Sequence, residues 1–246
     1  MLNNLLEHYI DTTNLVNHKP VYCFKNISKT TVPSGAGQVI LINCSHITVN
    51  QQILSDCSIS IQAIYSNNCI FSNNSCIYTF YTFVLEESNA NTLVRNTIYW
   101  NYEAIMLEKS NNNKIISNNI TRSDTYGIVL GACYYNLIYH NNFVGSNGAT
   151  LIYDQNHAQA YDSNNQNFWN TSTEGNYWSD WTAPDNDSNG IVDMPYILYG
   201  GNAMDFYPLV NPVSDAGAKI PEPSPLPIII SSVLLLTAIV VRLRKN

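Results

Sequence analysis

A short phrase returns along this chain every 22 or 23 residues, and no other feature narrows the possible folds as much. It reads Ser45-His46-Ile47-Thr48-Val49-Asn50, then Asn68-Cys69-Ile70-Phe71-Ser72-Asn73, Asn91-Thr92-Leu93-Val94-Arg95-Asn96, Asn113-Lys114-Ile115-Ile116-Ser117-Asn118 and Asn136-Leu137-Ile138-Tyr139-His140-Asn141. The closing asparagines Asn50, Asn73, Asn96, Asn118 and Asn141 are spaced by 23, 23, 22 and 23 residues. One apolar series, Ile47, Ile70, Leu93, Ile115 and Ile138, precedes them. A second is Ile53, Cys76, Ile98, Ile120 and Phe143, and a third is Ile61, Leu85, Leu107, Leu130 and Tyr153. Self-similarity at such a period is the signature of a solenoid. Each repeat holds about three short alternating runs divided by Asn/Ser turns, without a 3.6-residue pattern. The pattern predicts an all-β chain, a three-sided parallel β-helix of about 22–23 residues per coil. Its aliphatic columns would stack inside at the strand spacing of about 4.8 Å. Asparagine suits its corners because it tolerates the left-handed conformation, and stacked on its own kind the amide forms a ladder. Asn50, Asn73, Asn96, Asn118 and Asn141 are therefore the expected ladder.

Composition agrees. Charged residues make up 12% of the chain, against about 25% in an average domain, while 35 Asn and 38 Ser and Thr supply the polar surface. Residues 1–225 hold 8 Lys and Arg against all 18 Asp and Glu, a net −10, and Arg242, Arg244 and Lys245 add +3 at the end. So acidic a body repels phosphate backbones, which excludes nucleic acid as a partner and favours metal cations. The six cysteines show no zinc-type spacing and read as small buried residues standing in for Ser or Val.

The repeats resemble those of the NosD-type family of right-handed parallel β-helices, also called periplasmic copper-binding or carbohydrate-binding and sugar-hydrolase (CASH) repeat proteins, which are abundant on archaeal cell surfaces. His18-Lys19-Pro20-Val21-Tyr22 resembles the family's G-K-P-V-Y-Y phrase, with His18 in place of Gly. Gly175-Asn176-Tyr177-Trp178-Ser179-Asp180 and Asp193-Met194-Pro195-Tyr196 resemble its G-N-Y-W-S-D and D-x-P-Y segments. The resemblance implies a right-handed β-helix on the cell envelope, and none of these phrases is a catalytic signature.

The chain divides into an incomplete N-terminal edge (1–36), the β-helix repeats (37–165), an aromatic and Asp-rich C-terminal cap (166–212), a Pro-rich linker (213–225) and a hydrophobic tail with a basic end (226–246). No signal peptide precedes the repeats, which suggests that Met1 is not the true start. The tail, uncharged from Ile228 to Val241, reads as a membrane helix with the β-helix outside, or as a sorting signal removed from the mature protein.

Three chemistries have candidate residues. Asp185, Asp187, Asn189 and Asp193 take positions 1, 3, 5 and 9 of a calcium loop with Gly190 at 6; Tyr196 replaces the bidentate acid at 12, and Asp205 is a candidate to complete the shell. Glu86 stacked on Glu108, and Glu103 near Asp124, are the candidate catalytic acids of a polysaccharide lyase, epimerase or hydrolase. Trp178 and Trp181, with Phe168, Trp169 and Tyr177, read first as an aromatic cap on the open end of the solenoid, with a platform for sugar rings as the alternative role. Copper is disfavoured, because His8, His18, His46, His140 and His157 are dispersed. The balance favours a cell-surface structural or binding module for glycans or envelope partners over an enzyme, with a copper-handling accessory third.

Overall fold

The computed structural model describes residues 7–217; the linker from residue 218 and the tail expected over 226–246 lie outside them. No helix among the described residues is long and apolar enough to cross a membrane. The chain winds as a parallel β-helix whose coils present three faces. The first face stacks Ile53–Ser55, the opening halves of Ser75–Glu86 and Thr97–Glu108, then Asn119–Ser123, Asn142–Val144 and Tyr177–Trp178. The second stacks Lys19–Lys25, Gln38–Ile42, Ile59–Ile64, the closing halves of the two long strands, Ile128–Gly131, Ala160–Asp162 and Tyr199–Gly200. The third is a six-stranded sheet from Ser28–Thr31 to Leu137–Tyr139. Two pairs are antiparallel, Leu15–Val16 on Lys19–Lys25 and Tyr196–Ile197 on Met204–Asp205.

Inside, apolar side chains stack one coil above another. Leu54, Cys76, Ile98, Ile120, Phe143 and Trp178 line the first face, and Val49, Phe71, Leu93, Ile115 and Ile138 the third. Leu41, Ala63, Leu85, Leu107 and Leu130 run along the second, continuing into Asp162. All are buried. This register corrects the sequence expectation at both ends. Ile53 and Ile70 face solvent, Leu54 and Phe71 taking the inward places, Ile61 pairs with Phe83, and Tyr153 stands off its expected column.

The corners explain the slip. In each, a residue with left-handed φ is followed by a small polar side chain that turns inward: Asn73-Asn74, Arg95-Asn96, Ser117-Asn118 and His140-Asn141 at one corner, Ala90-Asn91, Asn112-Asn113 and Tyr135-Asn136 at another, Glu87-Ser88 and Lys109-Ser110 at a third. The left-handed residue varies from coil to coil and, except for the buried Ser117, is open to water, whereas its neighbour is buried and bonds the next coil. Asn74, Asn96, Asn118, Asn141 and Asn176 form a continuous ladder, each Nδ2 donating to the next Oδ1 at 2.9 Å. Asn91, Asn113, Asn136 and Asn167 form a second. Asn50 and Asn73 stand outside both, bonded to each other at 3.0 Å nearer the surface. From Gln52 to Asn118 the inward period is 22 residues, so counting back from Asn96 in steps of 23 slips onto the corner residue Asn73 and then onto Asn50 in the preceding strand. All six cysteines are free. Cys44 and Cys133 occupy serine places in a column with Ser66, Ser88 and Ser110, and Cys76 an aliphatic one.

Candidate functional site

Parallel register sets Glu108 directly over Glu86, as the sequence suggests. The next residue in that column is Gly131; the Glu108 carboxylate folds into the space that a side chain there would fill. Burial, then the neighbouring Glu87, holds the Glu86 carboxyl above its ordinary value; Lys109 pulls it back and Glu108 raises it again. Proton exchange at one acid beside a second is thus chemically available. Glu103 pairs with Tyr81 instead, while the Asp124 amide donates to the Asn101 carbonyl, so the register does not stack Asp124 on Glu103.

A different corner carries the largest group of exposed rings. Tyr78, Phe80, Trp100 and Tyr102 project between the first and second faces, on two adjacent coils. Phe80 and Tyr102 stack at 4.4 Å, Tyr78 meets Trp100 edge-on at 5.9 Å, and the Arg122 guanidinium lies 5.7 Å over the Trp100 ring. Beyond Arg122 a groove of about 390 Å³ opens along Val144, Gly145, Thr150 and Leu151. The inward residues behind these rings are Thr79, Asn101 and Ser123, and here the ladder is broken. Both ends of the Asn101 amide and the Ser123 hydroxyl are buried without a hydrogen-bond partner. Unsatisfied buried groups concentrate where a fold serves something other than stability. The signal in the sequence was the repeated ring-polar-ring pattern, Tyr78-Thr79-Phe80 over Trp100-Asn101-Tyr102, 22 residues apart.

The tryptophans singled out from sequence sit elsewhere. Trp178 is fully buried between Phe143 and Tyr196, stacked at 4.2 and 4.0 Å, which withdraws it from contact with any sugar. Trp181 packs edge-on against Tyr153 and donates Nε1–H to the Met194 carbonyl. Each member of Gly175-Asn176-Tyr177-Trp178-Ser179-Asp180 has a place in closing the solenoid. Gly175 admits the Asp205 carboxylate, Asn176 ends the first ladder, and Tyr177 bridges to Leu209. Trp178 extends the aliphatic column, Ser179 accepts from the Gly145 amide and Asp180 from Gln159.

Asp185, Asp187 and Asp193 bring carboxylate oxygens within 4.8 Å of one another in an exposed loop, a donor set that fits a hard cation. Within the loop those oxygens accept from Asn186, Asn189 and Gly190, and the Asn189 Oδ1 accepts from the Ile191 amide. Asp205, the candidate to complete the shell, is instead buried against Asn176 and Trp178, and Tyr196 lies in the ring stack.

The profile of the family described as periplasmic copper-binding protein (NosD) matches residues 13–183. No curated protein and no solved structure matches the chain. The copper in that description does not fit the donors present. His140 and His157 are bonded to Glu174 and Asp154 on separate coils. Among the described residues the one cluster of three ligand groups is carboxylate. Burial pushes the Cys69 thiol up to about 11 and Cys133 up to about 12, disfavouring the thiolates that bind soft metals.

Proposed function

The chain belongs to the NosD family of parallel β-helices, and from that premise we propose that it is an outward-facing, non-catalytic binding scaffold of the cell envelope that takes surface glycans at the Tyr78–Trp100–Arg122 corner. The family is periplasmic or extracellular, which agrees with an envelope location. The observation that carries the reading is the pairing of four exposed rings with the broken ladder behind them. Grouped exposed rings mark contact surfaces, and aromatic side chains combine apolar area with low ordering entropy. The exposed carboxylate of Asp124, whose amide donates to the Asn101 carbonyl, would supply an acceptor for sugar hydroxyls. The tail over 226–246, beyond the described residues, would hold the scaffold to the membrane with its basic end inside. The Asp185–Asp193 loop would take calcium, with binding read by calorimetry.

Titration with a panel of oligosaccharides, followed by tryptophan fluorescence, tests the glycan reading. Binding is expected, and Trp100→Ala should weaken it at least about tenfold, the loss of one good ring contact; a panel without any binder overturns it. The raised carboxyl of Glu86 beside Glu108 favours a second reading, a carbohydrate-active enzyme. Release of reducing or unsaturated sugar ends, abolished by Glu108→Gln, would establish that reading in place of the first.

A further inference from the structure

The ladders of the solenoid end on acids. Asn176, the last rung of the first ladder, donates its backbone N–H and Nδ2 to Asp205 Oδ2 at 2.7 and 3.2 Å, and Trp178 Nε1 donates to the same oxygen at 3.0 Å. Asn167, ending the second, donates to Asp162, which also accepts from Trp169 Nε1 at 3.0 Å. In the column behind the aromatic corner, the Ser123 N–H donates to Ser146, the Ser146 N–H to Gln159 and Gln159 to Asp180 at 2.6 Å, with the Tyr196 hydroxyl donating to the other oxygen. All three carboxylates are buried.

We propose that these three carboxylates make the closing layer of the solenoid a proton-operated latch, tighter in mildly acidic surroundings and looser at neutral and alkaline pH. Their place follows from the ladder. Each rung supplies donors to the coil beyond it, so the last rung of a column needs an acceptor that demands no further partner, and a carboxylate is all acceptor. Its negative charge is the cost, because nothing cationic compensates it. Asp205 accepts from the Asn176, Trp178 and Tyr207 groups, none of them charged. Asp162 faces Asn164, Asn167 and Trp169, and its charge adds to the burial that raises the Cys133 thiol. Asp180 faces Gln159 and the phenols of Tyr196, Tyr153 and Tyr177.

Burial raises all three carboxyls, Asp205 to about 6. A carboxyl whose value is higher in the closed state than in the open one binds more protons when closed. Closure therefore strengthens as pH falls from about 6 toward 4 and weakens as pH rises through that window. Protonation takes one proton per group from solvent, leaves one carbonyl oxygen accepting, and converts the other into a donor. No other reactant is needed.

Hydrogen–deuterium exchange on the full chain tests the latch, comparing about pH 5 with about pH 7.5 after correction for intrinsic rates. From Asp205 alone, the opening constant of the peptides covering 175–180 and 196–207 should be about tenfold smaller at the lower pH. Peptides around Asn96 and Asn118 should not change. Asp205→Asn should abolish most of the pH dependence. Should that variant fail to fold, infrared spectra of the wild type carrying ¹³C-labelled aspartate should show protonated carboxyl bands persisting above about pH 5. Equal or weaker protection at the lower pH, or all three acids ionising at or below about 4, would overturn the proposal.

Discussion

In the coils between Gln38 and Val144 a buried amide finds its partner in the same kind of residue one coil along, whereas in the layer that closes the solenoid no such copy follows. Asn96 accepts from Asn74 and donates to Asn118, so each rung satisfies its neighbour with its own chemistry. Past Asn141 and Asn136 the intervals lengthen to 35 and 31 residues, and the donors end on Asp205 and Asp162. Aromatic rings replace aliphatic side chains at the same boundary, Phe143, Trp178 and Tyr196 continuing the column of Ile98 and Ile120. Repetition allows a solenoid to extend by near-neighbour terms alone. Stopping it takes residues that do not repeat, and the charge that ends a ladder couples this region to pH.

The sharpest way to break the coils is Asn118→Leu. It removes the acceptor shared by the Asn96 N–H and Nδ2 and the Nδ2 donor to the Leu93 carbonyl, inside the solenoid, while the Asn141 Oδ1 still accepts from the backbone N–H of residue 118. With about 1–3 kcal/mol for a buried group left unsatisfied, a loss of about 5 kcal/mol is expected in denaturant titrations. Trp178→Ala attacks the closing layer, with an expected loss of about 3–4 kcal/mol from a collapsed ring stack. Limited proteolysis should then cut first beyond residue 160, leaving the earlier coils resistant. Asn111→Leu removes one bond, accepted from the Tyr134 amide at the surface, and should cost about 1 kcal/mol. Smallest is Glu108→Gln, which relieves like charge on Glu86 and should leave stability within about 0.5 kcal/mol while lowering the Glu86 carboxyl pKa, an effect visible by NMR titration.

The solenoid was legible because the apolar alternation and the recurring corners repeat at one period, and a period cannot be produced by chance composition. Its register was less so. Asn73 and Asn74 are adjacent and identical, and only the burial of the second distinguishes a rung from a corner. Similarly, Ile70 and Phe71 are both apolar, so the sequence does not say which faces inward. The acid pair Glu86–Glu108 followed directly from coil stacking, since equal offsets from Leu85 and Leu107 put the two side by side. The aromatic corner is not legible in the repeat because its rings point outward, where no column demands them. The roles of Asp162, Asp180 and Asp205 depend on contacts across as many as 29 residues that no repeat encodes.

In each coil the residue after the left-handed corner, not the corner itself, carries the fold. Thermal midpoints of Asn73→Ala and Asn74→Ala test it most directly, because the two sites are neighbours in sequence and of one residue type. Asn74 donates to the Val49 carbonyl and to Asn96 and accepts from the Gln52 amide, whereas Asn73 donates its amide only to Asn50 near the surface. Asn74→Ala should lower the midpoint by about 10 °C, corresponding to about 3–4 kcal/mol, and Asn73→Ala by no more than about 3 °C. Equal shifts, or a larger one for Asn73→Ala, would contradict the account.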